Sequence, residues 1–428
     1  MNLQRLKWLA AVVVSSTVLA GCERPPIDAV QTGFRGTGMD LVYNPRTIEQ
    51  QIPLNTAPAA LPEADKGGPR ASQVYKNVKV LGNLSVGEFN RVMIAYTQWV
   101  APTQGCAYCH NLNNLADDSL YTKVVARRMT EMTKHLNATW TNHVAQTGVT
   151  CHTCHRGQPV PSQIWFKPDE AKLAKGLLGQ RNGQNEAGQA SVAYSSLPKD
   201  PYSAYLEGST RIRQISQTAL PQGINGYGSS TQATEATYGL MMHMSKGLGV
   251  NCTFCHNSRN FSDWNQSPPQ RLTAWHGIRM VRELNNEFMT PLTKVFPQNR
   301  LGPMKDVAKV NCATCHQGAY KSLWGEPMAK VWPELRGPEV KLSEAAVAAR
   351  KASSATPFIP PPSTSPLTDV PRPGFGGHAQ RLAFGRFFDI HQRQDVVIFG
   401  YSLNRIGVGI RPDSMCSHSD KAGRDGAL

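Results

Sequence analysis

Four copies of Cys-x-x-Cys-His constrain this chain more than any other feature. They are Cys106-Ala-Tyr-Cys109-His110, Cys151-His-Thr-Cys154-His155, Cys252-Thr-Phe-Cys255-His256 and Cys312-Ala-Thr-Cys315-His316, and they use eight of the ten cysteines. The spacing lets two thiols reach the two vinyl positions of one porphyrin edge, with the next histidine under the iron. A single copy could be a zinc half-site or a redox dithiol. Four copies in an exported chain are neither. A redox dithiol occurs once, on a βαβ pattern, and zinc ribbons do not require histidine after each second cysteine. The sequence therefore predicts four covalent c-type haems with His110, His155, His256 and His316 as iron ligands.

Electron-transfer haems take a sixth ligand, Met or His, whereas an open position points to catalysis. Ser85 to Glu88 is a capping box, and Phe89, Val92, Met93, Tyr96 and Val100 follow at helical spacing up to Pro102. The chain can then fold back and lay Met93 against the first haem. Met129 (helix over 122–139) and Met241 (helix over 231–246) stand in similar places before the second and third motifs. A lone helical methionine is more often core packing, but similar placement in three units favours ligation. Met132, Met242, His243 and Met244 are close rivals. For the fourth haem the residues leave several choices open: Met280, His276, Met289, Met304 and His143. Spacing and internal symmetry nominate Met280, because Ala126-Arg-Arg-Met129 lines up with Gly277-Ile-Arg-Met280. Helix, motif, helix, motif recurs in both parts of the chain, as an internal duplication would produce.

The organisation read from the chain is mainly α with extensive loops, in two pseudo-symmetric halves holding two haems each. Residues 1–21 are a lipoprotein signal peptide: Arg5 and Lys7 precede a short apolar run that ends at Leu19-Ala20-Gly21-Cys22. Those last four residues resemble a bacterial lipobox, which implies cleavage before Cys22 and lipid on its thiol. Residues 22–70 read as a lipidated extended arm, with a brief strand expected over 74–84. The first haem pair occupies 71–165, a connecting segment 166–230 and the second pair 231–335. A helix over 271–288 is expected to end before Pro291. Residues 336–428 read as a disordered extension rich in Pro, Ser and Thr over 353–373, with Cys416 alone. The formal net charge of +15 suits an anionic surface or acidic partner. No Lys/Arg block or nucleic-acid module accompanies it, which excludes nucleic acid.

The pattern resembles the tetrahaem cytochrome subunit of purple-bacterial photosynthetic reaction centres. The resemblance rests on the lipobox Cys22, the motifs CAYCH, CHTCH, CTFCH and CATCH, Met93, Met129 and Met241 before the first three, and Ala274-Trp-His-Gly-Ile-Arg-Met280. It implies that His143, before the second motif, ligates the fourth haem, and that Met280 is packing. It also implies a subunit on the periplasmic face of the bacterial inner membrane, anchored by lipid and seated on the membrane-embedded core subunits. There it would re-reduce the photo-oxidised bacteriochlorophyll pair with electrons from a soluble carrier, a small cytochrome c or a high-potential iron–sulfur protein. It would be an electron-transfer subunit, not an enzyme. A generic periplasmic multihaem carrier is the alternative. A multihaem reductase would need an open iron, against which four plausible sixth ligands argue.

Overall fold

The computed structural model describes residues 27–32, 38–168, 197–198, 200–214, 230–337, 342–344 and 346–348. The signal peptide, the lipidation position Cys22, most of the connecting segment and nearly all of the C-terminal extension, including Cys416, lie outside the described residues.

The N-terminal arm is more structured than its composition suggests. Strands β1 (Asp28–Gln31) and β2 (Asp40–Tyr43) pair antiparallel, with Asp28 opposite Tyr43. Asn44 then caps α1 (Pro45–Gln51) by accepting from the Arg46 amide. The arm is fastened to later parts of the chain. The Val42 amide donates to Asn251 Oδ1 at 3.1 Å, and Asn55 Nδ2 donates to the Gln317 carbonyl at 3.3 Å. These tethers are long-range, so the local pattern carried no trace of them. The strand expected over 74–84 is absent. A short helix, α2 (Ala71–Val74), and turns stand there instead, with one isolated bridge between Arg70 and Ser85. Among the described residues no partner strand lies alongside, and Val74 is exposed.

Helix α3 (Val86–Val100) begins at the predicted box: Ser85 Oγ accepts from the Glu88 amide at 3.1 Å, and Glu88 Oε2 accepts from the Ser85 amide at 2.9 Å. Next come α4 (Tyr121–Thr139), the single turn α5 (Thr141–Val144) and α6 (Cys151–His155). In the second part, α7 (Thr231–Leu248) is capped by Ser230 and stopped by Gly249 in the left-handed conformation. Helix α8 (Gln270–Glu283) follows, then α9 (Cys312–His316) and α10 (Met328–Val331). The helix predicted over 271–288 changes winding partway. After Glu283 it widens into a π-helical stretch over Leu284–Met289, then tightens into a 3-10 segment, Thr290–Lys294. Pro291 sits in the first turn of that segment, where its missing N–H breaks no helical bond.

The main core is built by residues far apart in sequence. Leu136 and Trp140 pack with Leu240 of α7 and with Ile278, Met280 and Val281 of α8. Each fully buried aliphatic side chain here contributes roughly 1.5–3 kcal/mol. His135 Nε2 donates to Glu283 Oε1 at 2.6 Å and Trp140 Nε1 donates to the same oxygen at 2.8 Å, all three buried. A buried carboxylate is tolerated when it is hydrogen-bonded in this way. A second core surrounds α3. Trp99 meets Trp332 edge-on at 4.6 Å, and Arg91 lies 3.8 Å over Trp332 while pairing with Glu334 at 2.6 Å. The chain after the fourth motif thus returns to cover the helix before the first.

Candidate haem sites

The four motifs adopt two local structures. The first and third form tight 3-10 turns, Gly105–Tyr108 and Cys252–Phe254. The second and fourth are single α-helical turns, α6 and α9. Each of these begins at a polar cap: the Thr150 amide donates to Thr153 Oγ1 at 3.0 Å and the Asn311 amide to Thr314 Oγ1 at 2.9 Å. Each ends in the left-handed region, at Arg156 (φ 52°) and Gln317 (φ 46°).

Five imidazoles share one arrangement. His110 Nδ1 meets the Leu115 carbonyl at 3.0 Å, and His256 Nδ1 meets the Phe261 carbonyl at 3.0 Å. His155 Nδ1 meets the Gln158 carbonyl at 2.9 Å, and His316 Nδ1 meets the Ala319 carbonyl at 2.8 Å. His143 Nδ1 meets the Thr273 carbonyl at 2.9 Å. A carbonyl only accepts, so each Nδ1 carries the proton and each Nε2 presents its lone pair. That is the tautomer and orientation an imidazole needs to bind a metal. Two of the three buried histidines place a ring nitrogen on a side chain instead: His135 turns Nε2 to Glu283, and His243 turns Nδ1 to the Tyr202 hydroxyl at 3.0 Å. Burial lowers the pKa of His143, His155 and His256, and that of His316 to about 4, so these rings stay neutral and ligand-competent.

The return turns are local. His155 and His316 reach carbonyls three residues on because Gly157 (φ 80°) and Gly318 (φ 86°) take backbone angles that side chains resist. The first and third sites use a loop that the sequence repeats and that motif reading alone passes over: His-Asn-x-x-Asn-x-x-Asp, at 110–117 and again at 256–263. Asn111 Oδ1 accepts from the Asn113 amide at 3.1 Å and Asn257 Oδ1 from the Arg259 amide at 3.0 Å. Asn114 and Asn260 do the same two residues on, each at 3.2 Å. These Asx turns bring the carbonyl of Leu115 or Phe261 back to the imidazole.

Helices α6 and α9 meet through reciprocal hydrogen bonds. Arg156 Nη2 donates to the Cys315 carbonyl at 3.0 Å, and Gln317 Nε2 donates to the Cys154 carbonyl at 3.2 Å. Cys154 and Cys315, which sequence reading gives to two different haems, are bonded to each other here, with Cα atoms 4.4 Å apart. A sulfur joined to a haem vinyl carbon cannot also hold a disulfide. The two uses are exclusive, and haem attachment requires both residues as thiols. Cys106, Cys109, Cys151, Cys252, Cys255 and Cys312 are free. Burial raises Cys109 to about 11 and Cys151, Cys255 and Cys312 to about 12. Redox dithiols and metal thiolates need the opposite shift.

His143 and His316 come together from distant segments, their ring centroids 6.0 Å apart. With metal–nitrogen bonds of about 2 Å, that separation would let both imidazoles hold one haem iron. Gly277 makes room for the ring: a β-carbon there would lie 2.6 Å from His143 Cε1. Met280, the symmetry candidate, is 6 % exposed within the main core. Met93 on α3, Met129 on α4 and Met241 on α7 are partly buried against apolar clusters. The thiol pairs Cys106/Cys109 and Cys252/Cys255, the anchored imidazoles and the glycine cradle fit haem.

The protein is therefore a c-type cytochrome with four attachment motifs. Its residues 23–336 match the family model of the photosynthetic reaction centre cytochrome c subunit. It is 55 % identical over 345 residues to the photosynthetic reaction center cytochrome c subunit of Rubrivivax gelatinosus, covering 81 % of this chain and 93 % of that one. The corresponding subunit of Thermochromatium tepidum is 48 % identical, covering 83 % of this chain and 86 % of that one. That of Roseobacter denitrificans is 40 % identical, covering 78 % and 93 %. The chain belongs to the family of photosynthetic reaction centre cytochrome c subunits. Among the described residues no helix is long and apolar enough to cross a membrane.

Proposed function

We propose that this subunit passes electrons through four haems to the photo-oxidised bacteriochlorophyll pair of the reaction centre, drawing them from a soluble periplasmic carrier. The observation that carries the ligand set is the shared arrangement of five imidazoles, each Nδ1 on a backbone carbonyl and each Nε2 left free. Haem iron, alternating between ferric and ferrous, supplies the one-electron chemistry. The chain holds it with Cys106, Cys109 and His110; Cys151, Cys154 and His155; Cys252, Cys255 and His256; and Cys312, Cys315 and His316. Met93, Met129 and Met241 close the first three sites and His143 closes the fourth.

The two pairs, over 71–165 and 231–335, are related by duplication. The matching turn types, anchor offsets and Asx loops of corresponding motifs support that reading. The His143 contact ties the pairs together. A small cytochrome c or a high-potential iron–sulfur protein suits the role of donor. Lipid on Cys22 would hold the subunit at the periplasmic face of the membrane.

Flash spectroscopy on native membranes tests the function. Oxidation of c-type haem within milliseconds of a flash is expected. No flash-induced haem oxidation would reduce the protein to a generic multihaem carrier. Rapid carbon monoxide binding by the fully reduced native protein would point instead to an open iron and an enzyme.

A further inference from the structure

The first and third sites share a loop but place their cations differently on it. The Leu115 carbonyl that accepts His110 Nδ1–H at 3.0 Å also accepts from Lys123 Nζ at 2.9 Å. Lys123 is 7 % exposed. Its ammonium also donates to the Asp117 carbonyl at 2.7 Å and pairs with Asp118 Oδ1 at 3.1 Å, which fixes it in this place. Aligning Met129 with Met280 puts Ala274 opposite Lys123; the third site's cation is Arg271, whose Nη1 donates at 2.9 Å to the carbonyl of Asp263, the counterpart of Asp117, and not to that of Phe261, the counterpart of Leu115. There the Phe261 carbonyl accepts from His256 Nδ1 at the same 3.0 Å.

We infer that Lys123 is a tuning residue that raises the reduction potential of the first haem by sharing the Leu115 carbonyl with its proximal imidazole. This rests on His110 being the iron ligand. A carbonyl has two lone pairs and can serve both donors. A cation on one of them draws electron density from the other, so Nδ1–H is held less strongly and the ring donates less to the iron. Ferric iron loses more from that than ferrous. The ammonium charge itself, in a site partly shielded from water, acts in the same direction. Hydrogen bonding around the ligands is one of the levers by which a protein sets haem potential.

The test uses the intact reaction-centre complex with Lys123→Met, Lys123→Arg and Lys123→Gln variants, and Met93→His to mark which titration wave belongs to the first haem. With all four haems low-spin, Lys123→Met is expected to lower the first wave by about 59 mV, the one-electron equivalent of a tenfold change in the reduction equilibrium. The other three waves stay in place. Lys123→Arg keeps the cation and restores the wave. Lys123→Gln keeps a donor without charge and lowers it by less, and it decides the matter if the methionine variant does not assemble. An unmoved first wave in both neutral variants overturns the inference. So does an arginine variant that falls as far as methionine, because loosened packing would then be the cause. If Met93→His moves no wave, the ligand reading fails, independently of Lys123.

Discussion

The first and third sites stand apart from the second and fourth in how far they depend on the rest of the molecule. At the first and third, the 3-10 turn, two Asx turns and returning carbonyl that orient the motif histidine lie within seven residues of it, with Lys123 on the Leu115 carbonyl and the arm on Asn251 as the longer-range additions. At the second and fourth, the motif histidine is also anchored locally. The motif helices, however, lean on each other through Arg156 and Gln317, and His143, from the segment before the second motif, comes up against His316 of the fourth. One kind of site is a local module. The other is a joint assembly, so damage to one member should spread to its neighbour.

His143→Ala should show this most strongly. It removes the imidazole opposite His316, and the fourth haem should lose its low-spin spectrum and bind carbon monoxide when reduced. The first and third haems should keep their spectra. If all four spectra survive, the His143 assignment is wrong. Gly277→Ala comes next. Its β-carbon meets His143 at 2.6–3.2 Å, so ring or helix must move. A loss of about 1–3 kcal/mol in stability is expected from such overpacking, with partial high-spin character confined to the fourth haem. Calorimetry with absorption spectroscopy reads both.

Arg156→Ala sharpens the comparison from the other side. Arg156 donates to the carbonyls of Leu54 and Cys315 and to Asn55 Oδ1. A charged donor of this kind is worth about 1.5–3 kcal/mol. Its removal should lower the melting temperature and disturb the second and fourth haem signals together. Asn260→Ala should do less. It removes one Asx bond at the third site, about 1 kcal/mol, and should alter the third haem alone.

The smallest effect concerns acid. Hydrogen bonds from Arg127 first, then from Asn77, hold the Asp118 carboxyl well below the usual carboxylate range. A carboxylate depressed in the folded state contributes stability above its unfolded pKa of about 3.9 and loses it only as pH falls further. The first-haem loop should therefore hold its spectrum from neutral pH down to about pH 4 and change only below it. Acid titration of the first-haem signal checks this. Asp118→Asn should weaken the loop already at neutral pH and abolish this acid-dependent change, because the group that titrates is gone.

Much of each site was legible because its determinants are short. The Ser85–Glu88 box and the helices carrying Met93, Met129 and Met241 rest on residues within a turn or two of one another. The repeat after His110 and His256 was equally local, and lining up the residues downstream of each motif, rather than upstream, would have found it. Other features lay beyond such reading. The strand expected over 74–84 had apolar residues but no partner. The arm's short strands and α1 owe their place to Asn251 and Gln317, some two hundred residues away.

By itself the sequence determined the covalent chemistry. Two thiols and a histidine at fixed spacing address one porphyrin whatever surrounds them, because the constraint spans five residues. Tertiary structure decided which distant residue meets His316. Internal symmetry offered Met280, but α8 turns that side chain into the main core. Gly277, on the same helix, leaves the space that His143 fills, anchored at Thr273 across 130 residues. Periodicity cannot carry such a choice, because it depends on how helices pack and on one missing β-carbon.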